Sequence, residues 1–517
     1  LTAQDVLPSA LTIANTGSFS AILNPGPGQS DVSGLFNVTS TGWTITGDLD
    51  LLPGDSVVIE YEAVINETVR DGQSLVNEVD VEWTSLDGTD TNERGGDGNL
   101  NTESPVTSPD DYEASDTATI QANLTPTYAF TKSVSTSSES FTGVTAGTSP
   151  TITDLVVGET VTFELVATLG RGTTDGVQIV DQLSIANGLL DITNVQIQAG
   201  AALSLGSGSP FSSLTISETD NAGSDGFNDR VSINFGTVIN DPDLATTTAD
   251  EQIRILIDAI VVNDVANQQG DVIENTGTLT FLDDQNGDGT QTTRTIQDTA
   301  SVEIIEPQVN VTKVTIPGTP TSTQAGDTID YRVTLTNPGG VANQQQNVTA
   351  FDVTAQDILP TDLTLNTGSF VAILAPAGSA TDISGLFNVT ATGWTLTGNL
   401  DLAPGAVVQI DYDATIDVAV RDGDDLLNEV DIEWTSLDGA SANERGGDGN
   451  LNTETPGGGV NDYENTANEQ IRVNLTPEYS FTKSVSTSSE SFTGVTAGTS
   501  PTITDLVVGE TVTFELI

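Results

Sequence analysis

The chain has 517 residues, with 74 Asp and Glu against 13 Lys and Arg, a formal net charge of −61, and no His, Cys or Met. So acidic a surface repels nucleic acid and anionic membranes, which both need a cationic face, and it attracts divalent cations. Without thiol or imidazole there can be no disulfide and no thiolate zinc site, and Cys–His and Ser–His–Asp catalysis are excluded because nothing can serve as the base.

The length suits roughly three or four domains. Val, Ile and Leu supply most of the apolar residues, and Thr, Ser, Gly, Asn and Asp dominate the rest. That mixture suits short strands joined by turns. No apolar run approaches the roughly 18 residues of a membrane span, and no signal peptide is visible. Taken in order, residues 1–10 (LTAQDVLPSA) match residues 353–362 (VTAQDILPTD), so the chain opens partway into a unit whose full copy begins near Pro307. Residues 57–64 (VVIEYEAV) and 407–416 follow Pro-Gly turns at Pro53-Gly54 and Pro404-Gly405, and both read as strands. The run of 36 residues from 130 to 165 returns letter for letter at 481–516, an offset of 351. Fold constraints do not keep surface Ser and Thr identical, so this is recent tandem duplication, and the chain is read as part of an array.

The period is itself double. One half begins Phe130-Thr131-Lys132 and the other Val311-Thr312-Lys313. Each continues through a Gly-acid-Thr step into an alternating strand, residues 158–165 or 326–333. Each then has a strand ending near an Asp, residues 177–183 or 353–359, and a closing strand, residues 298–305 or 468–475, after a long acidic hairpin loop. Four units follow: a partial first type at 1–126, a second type at 127–306, a first type at 307–476 and the start of a second type at 477–517. The expected fold is all-β, tandem Ig-like antiparallel β-sandwich domains in an extended array. Short proline joints at Thr125-Pro126 and Glu306-Pro307 predict a fairly stiff rod. The broken outer units point to a longer parent chain, with strand sharing between subunits as the alternative.

The order Thr-Lys, Gly-acid-Thr, Asn337-Pro338-Gly339, Asp357-Ile358-Leu359-Pro360 and a later Asn resembles the DUF11-type repeats of large prokaryotic surface proteins. The second-type unit departs from it, with Gly170-Arg171-Gly172 at the turn and no Pro after Asp181-Gln182-Leu183. The resemblance implies Ig-like architecture and a surface location. It does not imply a ligand.

Three kinds of site are candidates. The chain has only three lysines, Lys132, Lys313 and Lys483, and all follow Thr in the first strand of a unit. One explanation is an intramolecular isopeptide bond. That bond needs a desolvated neutral amine, an Asn to attack and a carboxylic acid to shuttle protons. Asp181 and Asn275 are the partners for Lys132, and Asp357 and Asn428 for Lys313. The alternative is a structural ion pair at the domain edge. The second candidate is calcium. Asp284, Asn286 and Asp288 open a D-x-N-x-D-G loop, with Thr295 where a calcium loop ends in Glu. The equivalent first-type hairpin carries Asp97, Asn99, Asn101 and Glu103, repeated as Asp448, Asn450, Asn452 and Glu454. Turn formation alone also selects these residue types. The third is N-glycosylation at Asn37, Asn66, Asn123, Asn310, Asn347, Asn388 and Asn474.

No acid pair stands among aromatic residues as a glycosidase site would, and Trp43, Trp83, Trp394 and Trp434 read as core. The chain is expected not to be an enzyme. Its expected role is a building block of an extracellular filament that associates with copies of itself, with no nucleic acid partner and no membrane insertion. A stalk for an adhesive tip domain, or a surface-layer protein, is the alternative.

Overall fold

The computed structural model describes all residues except 89–91, 102–111, 125–127, 139–152, 185–187, 222–224, 242–243, 285–289, 318–322, 339–347, 376–379, 457–460, 476–479, 489–507 and 510. The regular secondary structure of the described residues is strand, apart from a few single 3-10 turns. Among them no helix is long and apolar enough to cross a membrane.

The partial first unit contributes β1 (Thr2–Val6), β2 (Gly42–Ile45), β3 (Val57–Glu60), β4 (Ser74–Glu82) and β5 (Glu113–Gln121). The sheet order is β5-β4-β1-β2 followed by Phe36–Thr39, while β3 belongs to a separate three-stranded sheet with Ser20–Leu23 and Ser30–Asp31. The second unit contributes β6 (Ala129–Ser137), β7 (Thr160–Thr168), β8 (Gly172–Leu183), β9 (Gln252–Val261), β10 (Val272–Asp283) and β11 (Thr292–Ile304). One of its sheets runs β6-β7-β9 and on to Leu190–Ala199. The other places β10 between β11 and β8, with Thr153–Leu155 parallel to β11.

The third unit contributes β12 (Asn310–Thr315), β13 (Thr328–Thr336), β14 (Phe351–Ile358), β15 (Gly393–Leu396), β16 (Val407–Ile416), β17 (Asp425–Thr435) and β18 (Glu464–Arg472). Here β12-β13-β16 lead one sheet, and β15-β14-β17-β18 close the other. Two further strands, β19 (Lys483–Ser488) and β20 (Val512–Leu516), pair only with each other.

Strict alternation builds these sandwiches. Along β9 and β16 every second side chain is buried, as period-2 geometry requires of a half-covered strand. The facing sheets trap Tyr331, Val333, Ile410, Tyr412, Val430 and Ile432 in the third unit. Trp43 and Trp394 pack as expected, edge-on to Phe36 and Phe387.

Residues 407–416 form one strand, but the equivalent stretch does not. It stops at Glu60 and resumes only at Val64–Ile65. β13 pairs with β16 along its whole length, from Thr328↔Thr415 to Thr336↔Val407, whereas among the described residues β3 pairs only with Ser20–Leu23.

Units meet through two kinds of joint. Between the first and second, Asp71, which accepts from Leu124 N–H of its own unit at 2.5 Å, also accepts from Asp284 N–H at 2.7 Å, and Arg70 pairs with Asp175 at 2.6 Å. Between the second and third, the buried Arg445 reaches across the boundary. It donates to Asn263 Oδ1 at 3.1 Å, to the carbonyls of Asn267 at 2.8 Å and Asp264 at 2.6 Å, and to Glu306. Ser436 donates to the Val157 carbonyl at 2.9 Å beside it. A small apolar cluster of Val156, Ile305 and Val348 fills this second joint.

Candidate functional site

The three residues singled out in each complete unit come together. Lys132 points inward from β6, and its side chain is fully buried. Its Nζ pairs with Asp181 Oδ1 on β8 and lies 5.1 Å from the centroid of the Phe163 ring. Asp181 stands opposite Gly277 on β10, so Asn275, two residues along, shares its face. Asn275 is completely buried, and neither polar atom of its amide has a hydrogen-bond partner. Gly277 is closely packed: a Cβ there would stand 3.0 Å from the Phe130 and Leu165 side chains, which would have to give way to admit it.

The third unit repeats the arrangement. Lys313 on β12 places Nζ 2.5 Å from Asp357 Oδ2 on β14, both side chains being fully buried. Asp357 stands opposite Val430 on β17, and Asn428 again lies two residues along. A tyrosine completes this version: Tyr412 donates to Asp357 Oδ2 at 2.6 Å and accepts from Asn428 Nδ2 at 2.9 Å. The rings of Tyr331 and Tyr412 stack at 5.4 Å, and Lys313 Nζ lies 5.6 and 5.8 Å from their centroids. Asp357 Oδ1 and Asn428 Oδ1 remain unpartnered. Burying an unpaired amide or carboxylate oxygen costs free energy, so two such sites at matching positions call for an explanation.

Burial dominates the electrostatics. Desolvation pushes Lys132 and Lys313 below the ordinary lysine range against the pull of their carboxylates, and it pushes Asp181 and Asp357 above the carboxylate range. Both shifts work against the charged pair and toward a neutral amine beside a carboxylic acid. A pair in that state would be suited to acyl transfer: the Nζ lone pair would attack Asn Cγ while the acid protonated the amide oxygen. Collapse of the adduct would return that proton to the carboxylate and leave a secondary amide, the Asn nitrogen departing as ammonia with the proton the amine gave up.

Sequence reasoning missed Tyr412, and it missed a third copy of the acid–amide corner. Tyr61 donates to Asp5 Oδ2 at 2.5 Å, and Asn77 Nδ2 donates to Asp5 Oδ2 at 3.1 Å and to Tyr61 at 2.9 Å. Tyr61 and Asn77 stand 351 positions before Tyr412 and Asn428, and Asp5 stands 352 before Asp357, so the repeat was the signal that could have found them.

The candidate calcium loops divide. Asn286, Asp288, Glu103 and the sequon at Asn347 lie outside the described residues. Asp284 is buried against the first joint through its own backbone N–H, which donates to Asp71 Oδ2 at 2.7 Å. Asp97 and Asn99 accept successive backbone N–H bonds as turn residues do, from Asn99 at 2.8 Å and Asn101 at 3.4 Å. In the third unit the loop gathers more charge. Carboxylate oxygens of Asp448, Glu454 and Glu433 lie within 4.8 Å of one another. Glu433, a buried residue of β17, was not foreseen; it accepts from the backbone N–H of Gly449 at 2.8 Å and of Asn450 at 3.2 Å. Both Glu454 oxygens are shielded from solvent without a hydrogen-bond partner. Burial and the neighbouring acids push Glu454 up to about 9 and Asp462 up to about 6. Asn450 and Asn452 are turn residues of the same loop, and Asn452 Nδ2 donates to Asn450 Oδ1 at 3.1 Å. Of the other sequons, Asn37, Asn123, Asn310, Asn388 and Asn474 are exposed, while Asn66 is half-buried and donates to the Ser9 carbonyl at 2.9 Å.

No family model and no curated protein matches the chain, so its likeness to DUF11-type repeats rests on the order of motifs. Three solved structures show some similarity. The C-terminal domain of the Streptococcus agalactiae AgI/II polypeptide BspA is 11% identical over 67% of this chain and 100% of its own, with a TM-score of 0.30. A 35 kDa C-terminal fragment of the major pilin GBS80 of Streptococcus agalactiae is 12% identical over 67% and 91%, with a TM-score of 0.24. The Enterococcus faecalis MSCRAMM ACE, described as binding its ligands by the collagen Hug model, is 14% identical over 62% and 93%, with a TM-score of 0.20. The overlap is low in each case, and the sandwich architecture stands on the strand pairing described above.

Proposed function

We propose that this chain is a structural segment of a prokaryotic extracellular filament, built from DUF11-type Ig-like repeats, in which each complete sandwich is closed by an intramolecular amide bond. Lys132 joins Asn275, with Asp181 carrying the protons, and Lys313 joins Asn428, with Asp357 in that role. One observation carries the reading: two units of different type bury a Lys–Asp pair beside an Asn with an unpartnered amide oxygen, at the same place in the fold. A plain ion pair accounts for the Lys and the Asp but leaves the buried Asn oxygen unexplained. The intact chain is expected to be two molecules of ammonia lighter than its sequence. A mass equal to the sequence overturns the reading.

Calcium is proposed as a second stabiliser, held by Glu433, Asp448 and Glu454 in the third unit. Hard oxygen ligands converging on one point suit that ion. A cation also removes the cost of crowding these carboxylates beside Asp462 and Glu464. A thermal midpoint that ignores calcium against chelator overturns this part.

A further inference from the structure

We infer that Tyr412 is a catalytic residue of the third unit, relaying a proton from Asp357 to the departing nitrogen of Asn428, and that this unit therefore closes its amide bond faster than the second, which has no such hydroxyl. The inference rests on the reading that buried Lys–Asn pairs cross-link the complete units.

An amide nitrogen leaves poorly until it is protonated, so the proton that the lysine gives up has to reach Asn Nδ2. The third unit holds a path for it. Asp357 Oδ2 lies 2.5 Å from Lys313 Nζ and 2.6 Å from the Tyr412 hydroxyl, and that hydroxyl lies 2.9 Å from Asn428 Nδ2. Nucleophile, acid, phenol and leaving group thus form one unbroken chain of hydrogen-bonded atoms. All four residues are buried, which keeps bulk water from acting as the carrier instead. Asp357 Oδ1 and Asn428 Oδ1 have no partner, so the relay does not occupy the other oxygen of the acid or that of the amide. Desolvation and the Asp357 charge push the Tyr412 hydroxyl well above the usual tyrosine range. The phenol therefore keeps its proton, and releases it only as it takes another from Asp357.

The second unit lacks this path. Lys132 stands opposite Leu165 as Lys313 stands opposite Val333. Two residues back along the same strands, Phe163 faces Ile257 where Tyr331 faces Tyr412. Ile257 has no proton to pass on, and Asn275 Nδ2 has no hydrogen-bond partner at all. Its nitrogen must take the proton from Asp181 directly. The bridge does recur in the first unit, where Tyr61 donates to Asp5 Oδ2 and accepts from Asn77 Nδ2. The hydroxyl thus goes with the first type of sandwich.

In the adduct of Nζ on Cγ, Nζ carries one proton too many and Nδ2 one too few. Nζ gives its proton to Asp357 Oδ2. Tyr412 gives its own to Nδ2 and takes that of Oδ2, and the Cγ–Nδ2 bond breaks with its electron pair on nitrogen. The proton on the former amide oxygen returns to the carboxylate as the carbonyl re-forms. One ammonia leaves, Tyr412 ends unchanged, and no oxidant or co-reactant is required.

The test uses the full chain, recovered unfolded, refolded by dilution and sampled over time. Tandem mass spectrometry follows the Lys313–Asn428 and Lys132–Asn275 linked peptides. In the wild type the first is expected to appear faster than the second. Tyr412→Phe keeps the ring, and it should slow the Lys313–Asn428 link by at least about tenfold while leaving the Lys132–Asn275 rate as it was. Tyr331→Phe is the control: its hydroxyl is buried in the same corner without a partner, and its ring stacks on Tyr412 at 5.4 Å. Its loss should slow neither link. A Tyr412→Phe chain that closes its third unit at the wild-type pace overturns the inference, as does a wild type whose second unit closes as fast as its third. Equal slowing by Tyr331→Phe also overturns it, because the effect is then one of packing. In each of these cases both links still form in the wild type, and the cross-link reading stands. Wild-type chains that form neither link overturn that reading together with this one.

Discussion

A lysine hidden in a sandwich is costly unless its surroundings use it, and the residue-scale predictions follow from that cost. Asn428→Ala is expected to leave the chain one ammonia short instead of two. It should also lower the stability of the third unit by about 4 kcal/mol, the loop-closure contribution of a cross-link of this span, read as a lower thermal midpoint. Glu454 gives a pH dependence whose sign is fixed. Its carboxyl is raised from 4.5 to about 9 in the folded chain, so the folded state holds that proton more tightly than the unfolded state. Stability is therefore full below about 4.5, falls as pH rises toward about 9 and is lower above it. Calcium should flatten that fall, and Glu454→Gln should remove both the slope and the calcium response, measured by thermal melts across pH. The lysines were legible because there are only three of them. Asn275 and Asn428 were legible from their equivalent places in the two unit types. Glu433 was not, since a carboxylate in a strand reads as an outward residue until the folded loop is seen to turn its N–H groups onto it.

At the scale of elements, the alternating runs gave away β13, β16 and their partners, because period-2 burial leaves a plain trace in the residues. Continuity of the strand beginning at Val57 was not legible, because it depends on a neighbour distant in sequence. One turn fixes the site closely. Gly393 has φ 142, and a Cβ there would lie 2.0 Å from the Asp357 carbonyl oxygen. That contact presses β15 against β14 where Asp357 faces Lys313. Gly393→Ala should destabilise the third unit by about 3 kcal/mol or more, since backbone must move to admit the methyl group. It should also slow ammonia loss from that unit alone, as followed by mass after refolding.

For the whole molecule, the decisive residue is Arg445, at the joint between the second and third units. Its guanidinium is fully buried at the second joint and answers four acceptors of the preceding unit. Arg445→Ala would strand Glu306 and those carbonyls, at a cost of about 3–5 kcal/mol. The expected outcome is that calorimetry resolves separate transitions for the second and third units where the wild type melts them together. The placement of the proposed cross-link has a further consequence, for the response to tension. Lys313 is on the strand by which the chain enters the third sandwich, and Asn428 is on the strand next to the one by which it leaves. Were that bond closed, a pull on the two ends of the unit would pass from entry to exit through a short covalent path. The 114 residues between them would bear no load, so the unit would hold its length where an unlinked sandwich would unravel.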